Sequence, residues 1–218
     1  MEMFRIAHAS APDWRQAANA CLAQIGTIPP EANLGFLYIT DLLASDLPNI
    51  LNFLKEQTDI IDWVGSVGVG ICATSQEYND QPALCMMIAD FPADSFRVFP
   101  AIKTDIDEFA DHRDWCEKSD AHFGVVHGDP RNPKTPTFIA ELAEAINDGY
   151  LVGGLSSSRG PNFQIAGGLT EGGLSGVVFS SRVPVATAHT QGCSPLGQKH
   201  QVTECQNNIA IRIDDRPA

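Results

Sequence analysis

Positive charge is scarce in this sequence: 14 Lys and Arg stand against 27 Asp and Glu, a formal net charge of −13 over 218 residues. That balance opposes the counterion release that drives binding to phosphate backbones, so neither nucleic acid nor an anionic membrane surface is an expected partner. Long apolar runs are missing too. None approaches the ~20 residues of a membrane-spanning helix, and the start Met-Glu-Met-Phe lacks the basic region of a secretory leader. The six cysteines (Cys21, Cys72, Cys85, Cys116, Cys193, Cys205) are spread singly with no C-x-x-C pair, which favours reduced thiols over a disulfide framework. The expectation is a cytoplasmic protein without membrane insertion.

Cofactor signatures are absent as well. Gly65, Gly68 and Gly70 do not make a dinucleotide fingerprint, because the preceding helix is already used and no capped helix follows. His112, Cys116, His122, His127 and Asp129 lie close in sequence but match no zinc spacing, so they read as surface residues. No cofactor and no metal are expected.

What the chain has is an ordinary apolar fraction, 44%, enough for a sizeable core. Phe4–His8 reads as a strand and Asp13 as the cap of a helix, with Gln16 able to reach back and Gly26 at the end. Leu34–Thr40 is apolar without strict alternation, the pattern of a strand covered on both faces. Ser45 is placed to cap a second helix carrying Leu47, Ile50, Leu51 and Leu54, and Ile60–Val64 follows as a third strand. This is a βαβ-type opening, with helices packed on a sheet. Ala83–Ala89 and Phe96–Phe99 read as an antiparallel pair, and residues 104–120 as an acidic amphipathic helix. After Phe163 only strands are expected: 163–166, 174–179 joined to it as a hairpin, 183–190, about 199–204, and 209–213. The fold class is therefore α+β, with a mixed sheet and a β-rich C-terminal part.

Two glycine-rich stretches carry the functional reading. Gly65-Ser-Val-Gly-Val-Gly-Ile71 is too rich in glycine for an uninterrupted strand and reads as a loop pressed against something. Thr135–Gly149 has the spacing of one helix face and feeds Leu151–Gly154 as a buried strand, which gives way to Leu155-Ser156-Ser157-Ser158-Arg159. Glycine lets backbone N–H groups approach a solute closely, and the serines add hydroxyl donors and acceptors. Gly153-Gly154 is equally readable as a bulge or packing contact. If the two strands are parallel neighbours, their loops share an edge where ligands collect. The candidate site is then Gly65, Ser66, Gly68, Gly153, Gly154, Ser156, Ser157 and Ser158, with Arg159 as countercharge and Gln191 and Cys193 from a later stretch.

Several segments in order resemble one family, the FIST proteins (F-box and intracellular signal transduction), in their N-terminal domain. They are Gly65-Ser66-Val-Gly68-Val-Gly70-Ile71, Pro82-Ala83-Leu84, Gly153-Gly154-Leu155-Ser156-Ser157, Gln191-Gly192-Cys193-Ser194-Pro195-Leu196-Gly197, Val202-Thr203 with Asn208, and Ile213-Asp214-Asp215-Arg216-Pro217-Ala218. Ser66 stands where the family often has Cys, and Asp215 where it has Gly. The resemblance implies a sensory module that binds a small polar ligand, an amino acid being suspected, and signals to a protein partner. It brings no catalytic activity. It also implies domain bounds of 1–213, with 214–218 opening a linker to a C-terminal domain.

Two alternatives differ in class. A protein-interaction scaffold, of the substrate-receptor kind found in some members, would use the acidic segment 104–120 with Phe109 and Trp115. A thiol enzyme would use Cys193 activated by His189, but four residues of strand span about 13 Å, too far for a direct hydrogen bond unless the chain turns at Gly192.

Overall fold

Phe4-Arg5-Ile6 and Phe96-Arg97-Val98 open two halves with the same succession of elements. The computed structural model describes residues 4–147, 149–188, 192, 194 and 196–218. In the first half come β1 (Phe4–Ser10), α1 (Trp14–Ile25), β2 (Leu34–Thr40), a 3₁₀ turn at Asp41–Asp46, α2 (Leu47–Thr58), β3 (Asp62–Gly68), the small hairpin β4 (Gly70–Ala73) and β5 (Gln76–Asn79), and β6 (Ala83–Ala89). The second half runs β7 (Phe96–Ile102), a 3₁₀ turn at Ile106–Phe109, α3 (Ala110–Ser119), β8 (Phe123–Gly128), α4 (Thr135–Ala145), β9 (Tyr150–Leu155), the hairpin β10 (Gln164–Ala166) and β11 (Gly168–Thr170), and β12 (Leu174–Phe179).

Each half contributes four strands in matching order, β1-β6-β2-β3 and β7-β12-β8-β9, to two different sheets, and the hairpin β10–β11 continues the first sheet beyond β3. In each, the last strand inserts antiparallel between the first and second, and the final pair is parallel. The repeat extends to local chemistry. Asp13 caps α1 by accepting from the N–H groups of Arg15 and Gln16, and Asp105 caps the turn before α3, with Glu108 closing a capping box. Asp59 and Asn147 turn the chain out of α2 and α4 in the left-handed region, at φ 58° and 57°.

The packing has four layers, because β2 and its neighbours bury both faces. Leu37 and Ile39 point toward α1 and α2, with Trp14, Ala18, Ile50, Leu54 and Trp63 in the same cluster. Leu34 and Phe36, on the other face, meet Val177, Phe179 and Val125 of the second sheet. That sheet's outer face takes α3 and α4 through Phe99, Phe109, Phe138, Leu142 and Val178. At about 1.5–3 kcal/mol for each fully buried large apolar side chain, these three clusters dominate the stability of the unit. Among the described residues, four helices, mixed sheets and a β-rich C-terminal part make the class α+β.

Several local expectations are corrected. Gly65–Gly68 is not a loop but the buried end of β3. A Cβ on Gly65 would lie 1.7 Å from the carbonyl oxygen of Leu37, so glycine lets the two parallel strands pass closely. Gly153 repeats this against the carbonyl oxygen of Val126, at 1.8 Å. Leu151–Gly154 is not buried: β9 is the edge strand of its sheet, and Leu155 is 59% exposed. Ser45 lies inside the 3₁₀ turn and caps nothing, α2 being led by Asp46 and Pro48. β6 pairs with β1 and β2 rather than with β7, since β7 starts the second sheet. β10 pairs with β11 and β3, and β12 with β7 and β8, so no hairpin joins 163–166 to 174–179. Of the expected strand 183–190, the described part, 183–188, is not a strand.

The chain divides into two compact units, Met1–Val185 and Ala186–Ala218. By itself the second unit is a small antiparallel sheet of β13 (Val202–Gln206), β14 (Ile209–Ile213) and β15 (Arg216–Pro217). Among the described residues no helix is long and apolar enough to cross a membrane.

Candidate ligand-binding site

The two glycine-rich stretches meet, though not as neighbours in one sheet. β3 and β9 belong to different sheets, and stacking of the sheets brings their carboxyl ends together. The N–H of Ser157 donates to the carbonyl of Val67 at 3.2 Å, and the N–H of Val69 donates to Ser157 Oγ at 3.1 Å. Beside this clasp lies a cavity of about 340 Å³, lined by Ser66, Gly68, Gly70, Gly153, Gly154 and Ser157, and also by Tyr38, Ile71, Cys72 and His127. Its volume is in the range of small-molecule sites.

Tyr38 of β2 and His127 of β8 join the sheets in this wall. They occupy matching places in the two halves, since Tyr38 pairs with Ser66 across β2–β3 and His127 with Gly154 across β8–β9. Tyr38 Oη and His127 Nε2 are 3.0 Å apart, and the rings meet edge to face. Burial lowers the pKa of His127 to about 4 and, with the nearby Cys85 thiol adding to it, raises that of Tyr38 to about 12. Both side chains are therefore neutral near pH 7. His127 is only 3% exposed, and its Nδ1 has no hydrogen-bond partner among the described residues. A buried ring nitrogen left in that state costs free energy unless a solute or water satisfies it.

The backbone behind the pair is fixed by buried Gln164 of β10. Its Nε2 donates to the carbonyls of His127 and Gly173, both at 3.0 Å, and its Oε1 accepts from Ser175 Oγ at 3.1 Å. At the end of β8, Asp129 accepts from Arg131 Nη2 at 2.7 Å and from Asn162 Nδ2 at 3.1 Å, which holds its pKa down at about 2, the Arg131 hydrogen bond being the largest cause.

The other sequence-predicted residues fare differently. Ser66 lines the cavity, but its Oγ donates to the carbonyl of Val67 at 3.2 Å. Ser156 is buried with its Oγ donating to the carbonyl of Gly128, and Ser158 accepts from the N–H of Gly160; neither lines the cavity. Gly65 sits beneath it as a packing glycine. Arg159 is not a free countercharge: it pairs with Asp80 and Asp41 and is not among the lining residues. Gln191 and Cys193, with His189, lie outside the described residues.

Cys116, His127 and Asp129 are buried rather than on the surface: Cys116 lies on the inner side of α3, and 123–128 is an inner strand rather than part of a connection. Of the two aromatic residues of the scaffold reading, Phe109 is buried and Trp115 is half-buried. Phe109 is buried against Phe99, and Trp115 lies under the guanidinium of Arg97 while its Nε1 donates to Asp94. Sequence reasoning missed Tyr38, His127 and Cys72 as lining residues. The Phe-Arg-aliphatic repeat relates β1 to β7, but Tyr38 and His127 stand at different distances beyond it, so it does not align them.

Residues 33–216 match the family model of the FIST N domain. The chain belongs to that family. FIST N is a signal-transduction domain whose ligand is uncertain. The match opens just before β2, so β1 and α1 precede it although β1 pairs with β6 along its whole length. No curated protein matches the chain. Within this FIST N domain the cavity is bounded by both glycine motifs of the family resemblance, Gly65–Ile71 and Gly153–Ser157.

Proposed function

We propose that this FIST N domain is the ligand-binding part of a signalling protein and takes a small polar molecule into the cavity between β3, β9 and the Tyr38–His127 pair. The observation that carries this reading is a cavity built from the ends of both halves and walled by Ser157 and the hydrogen-bonded Tyr38–His127 pair. Gly154, whose Cβ position is open, lets a solute approach the main chain of β9, and Ser157 Oγ has a proton left to donate. Amino acids, the class the family resemblance suggests, are screened beside uncharged polar solutes. Ligand in the cleft would bridge the two sheets and so bias their relation, which is how binding becomes a signal to a partner protein.

The test is a thermal-shift screen of the whole chain against amino acids and other small polar solutes, repeated with Gly154→Val. Gly154 lines the cavity, and its Cβ position has no heavy atom within 4 Å, so the variant folds and fills the site. A solute that stabilises the parent and not the variant supports the reading; solutes that stabilise both equally bind elsewhere and sink it.

A further inference from the structure

The two halves treat equivalent apolar faces differently. In the second half, Val98, Val125 and Val177 lie between the sheets, and the hairpin β10–β11, added beyond β3, extends the first sheet over β7 and β12. In the first half, Ile6 and Met87 are register partners, as Val98 and Val177 are, and Phe36 lies beside them. Among the described residues no strand extends the second sheet beyond β9 to cover this face. It is left as a groove of about 430 Å³ between Ile6, Phe36, Cys85, Met87 and Val125, and Ile6 is 51% exposed.

This groove adjoins the polar cavity: Tyr38 and Cys72 line both. Among the described residues neither lining contains Asp, Glu, Lys or Arg. A charged group drawn into either would lose hydration with no counterion to replace it, whereas an uncharged donor–acceptor group is matched by His127, Tyr38 and Ser157. Resting on the ligand-binding reading above, we infer that the cognate ligand is amphipathic, with an uncharged hydrogen-bonding head at Tyr38–His127 and an apolar body laid along Ile6, Phe36 and Met87. The amide head of such a molecule both donates and accepts, which suits the hydroxyls of Tyr38 and Ser157. Each methylene removed from water along the groove adds to the binding, so the apolar body supplies most of the affinity.

The test is isothermal titration of the whole chain with octanamide, octanoate and acetamide, and of the variants Ile6→Asp and Ile61→Asp. Ile6 and Ile61 are both exposed, so both variants fold; Ile61 is remote from the groove lining and serves as the control. Octanamide is expected to bind at least tenfold more tightly than octanoate or acetamide. Ile6→Asp is expected to weaken octanamide at least fivefold, with Ile61→Asp unchanged. Failure of octanamide to bind, octanoate binding as well as octanamide, or no effect of Ile6→Asp would each overturn the amphipathic ligand. Those results leave the cavity reading standing if a polar solute still loses its binding in Gly154→Val; if none does, both fall.

Discussion

Tyr38 Oη and His127 Nε2 stand 3.0 Å apart at matching positions of the two halves, one on β2 and one on β8, and this hydrogen bond ties the two sheets at the wall of the cavity. Replacing one partner leaves the other buried and unsatisfied. Tyr38→Phe should therefore cost about 1–3 kcal/mol in urea unfolding. His127→Phe removes the imidazole and should leave Tyr38 free to turn its hydroxyl to solvent, at a smaller cost. A double-mutant cycle should give a coupling of at least about 0.5 kcal/mol; additivity would mean the two groups do not interact in solution.

The paired glycines separate packing from binding. An alanine methyl at Gly65 or Gly153 would fall within 2 Å of a main-chain oxygen on the adjacent strand, which cannot swing aside as a side chain can. Each substitution should cost roughly 3 kcal/mol or more, the upper end of overpacking. Gly154→Ala meets open space and should stay within about 0.5 kcal/mol of the parent. Equal losses at 153 and 154, measured by the same unfolding assay, would contradict the strand crossing described here.

Local strengths of the sequence explain what could be read from it. β1, α1, β2 and α4 were legible because caps, periodicity and breakers agree there: Asp13 and Gly26 bracket α1, and Pro136 starts α4. β8 was not, because Gly124, His127 and Gly128 dilute a strand whose burial comes from neighbours far along the chain. For the same reason β9 looked buried: apolar residues on an edge strand read like those in a core. The two glycine motifs were legible as a pair, but their meeting depends on sheet stacking, which no spacing within either motif encodes. Tyr38 and His127, 89 positions apart (127 − 38), become one unit only through that stacking.

Thiol accessibility follows the same burial map. Cys21 and Cys116 are buried, and desolvation raises their pKa values to about 12 and about 11. Cys72 is exposed and lines the cavity. With an aromatic disulfide reagent at pH 8, Cys72 should be labelled well before Cys21 and Cys116, which react only on unfolding. A ligand in the cavity should slow Cys72 and leave exposed Cys205 unchanged. Labelling of Cys21 at the rate of Cys72 would rule out this core.

Acid should attack the molecule in two windows with two different causes. Asp129 has its folded pKa held at about 2, below the ordinary carboxylate value of about 3.9, by the Arg131 and Asn162 hydrogen bonds. Its contribution is present above pH 4 and is lost as pH falls through 2; a difference near two units corresponds to about 2.6 kcal/mol. His127 works at higher pH and in the other chemical sense. Its folded pKa is lowered to about 4, so between pH 6.5 and 4 the unfolded chain takes up a proton that the folded imidazole refuses. The unfolded state binds more protons there, and stability must fall as pH drops through that window, by up to about 3 kcal/mol. Urea unfolding of the parent at pH 7, 5.5 and 4.5 should show this decline, and His127→Gln, which has no proton to gain, should flatten it. An undiminished slope in the variant would assign the acid sensitivity to other groups and would mean that His127 is not buried as a neutral ring between the two sheets.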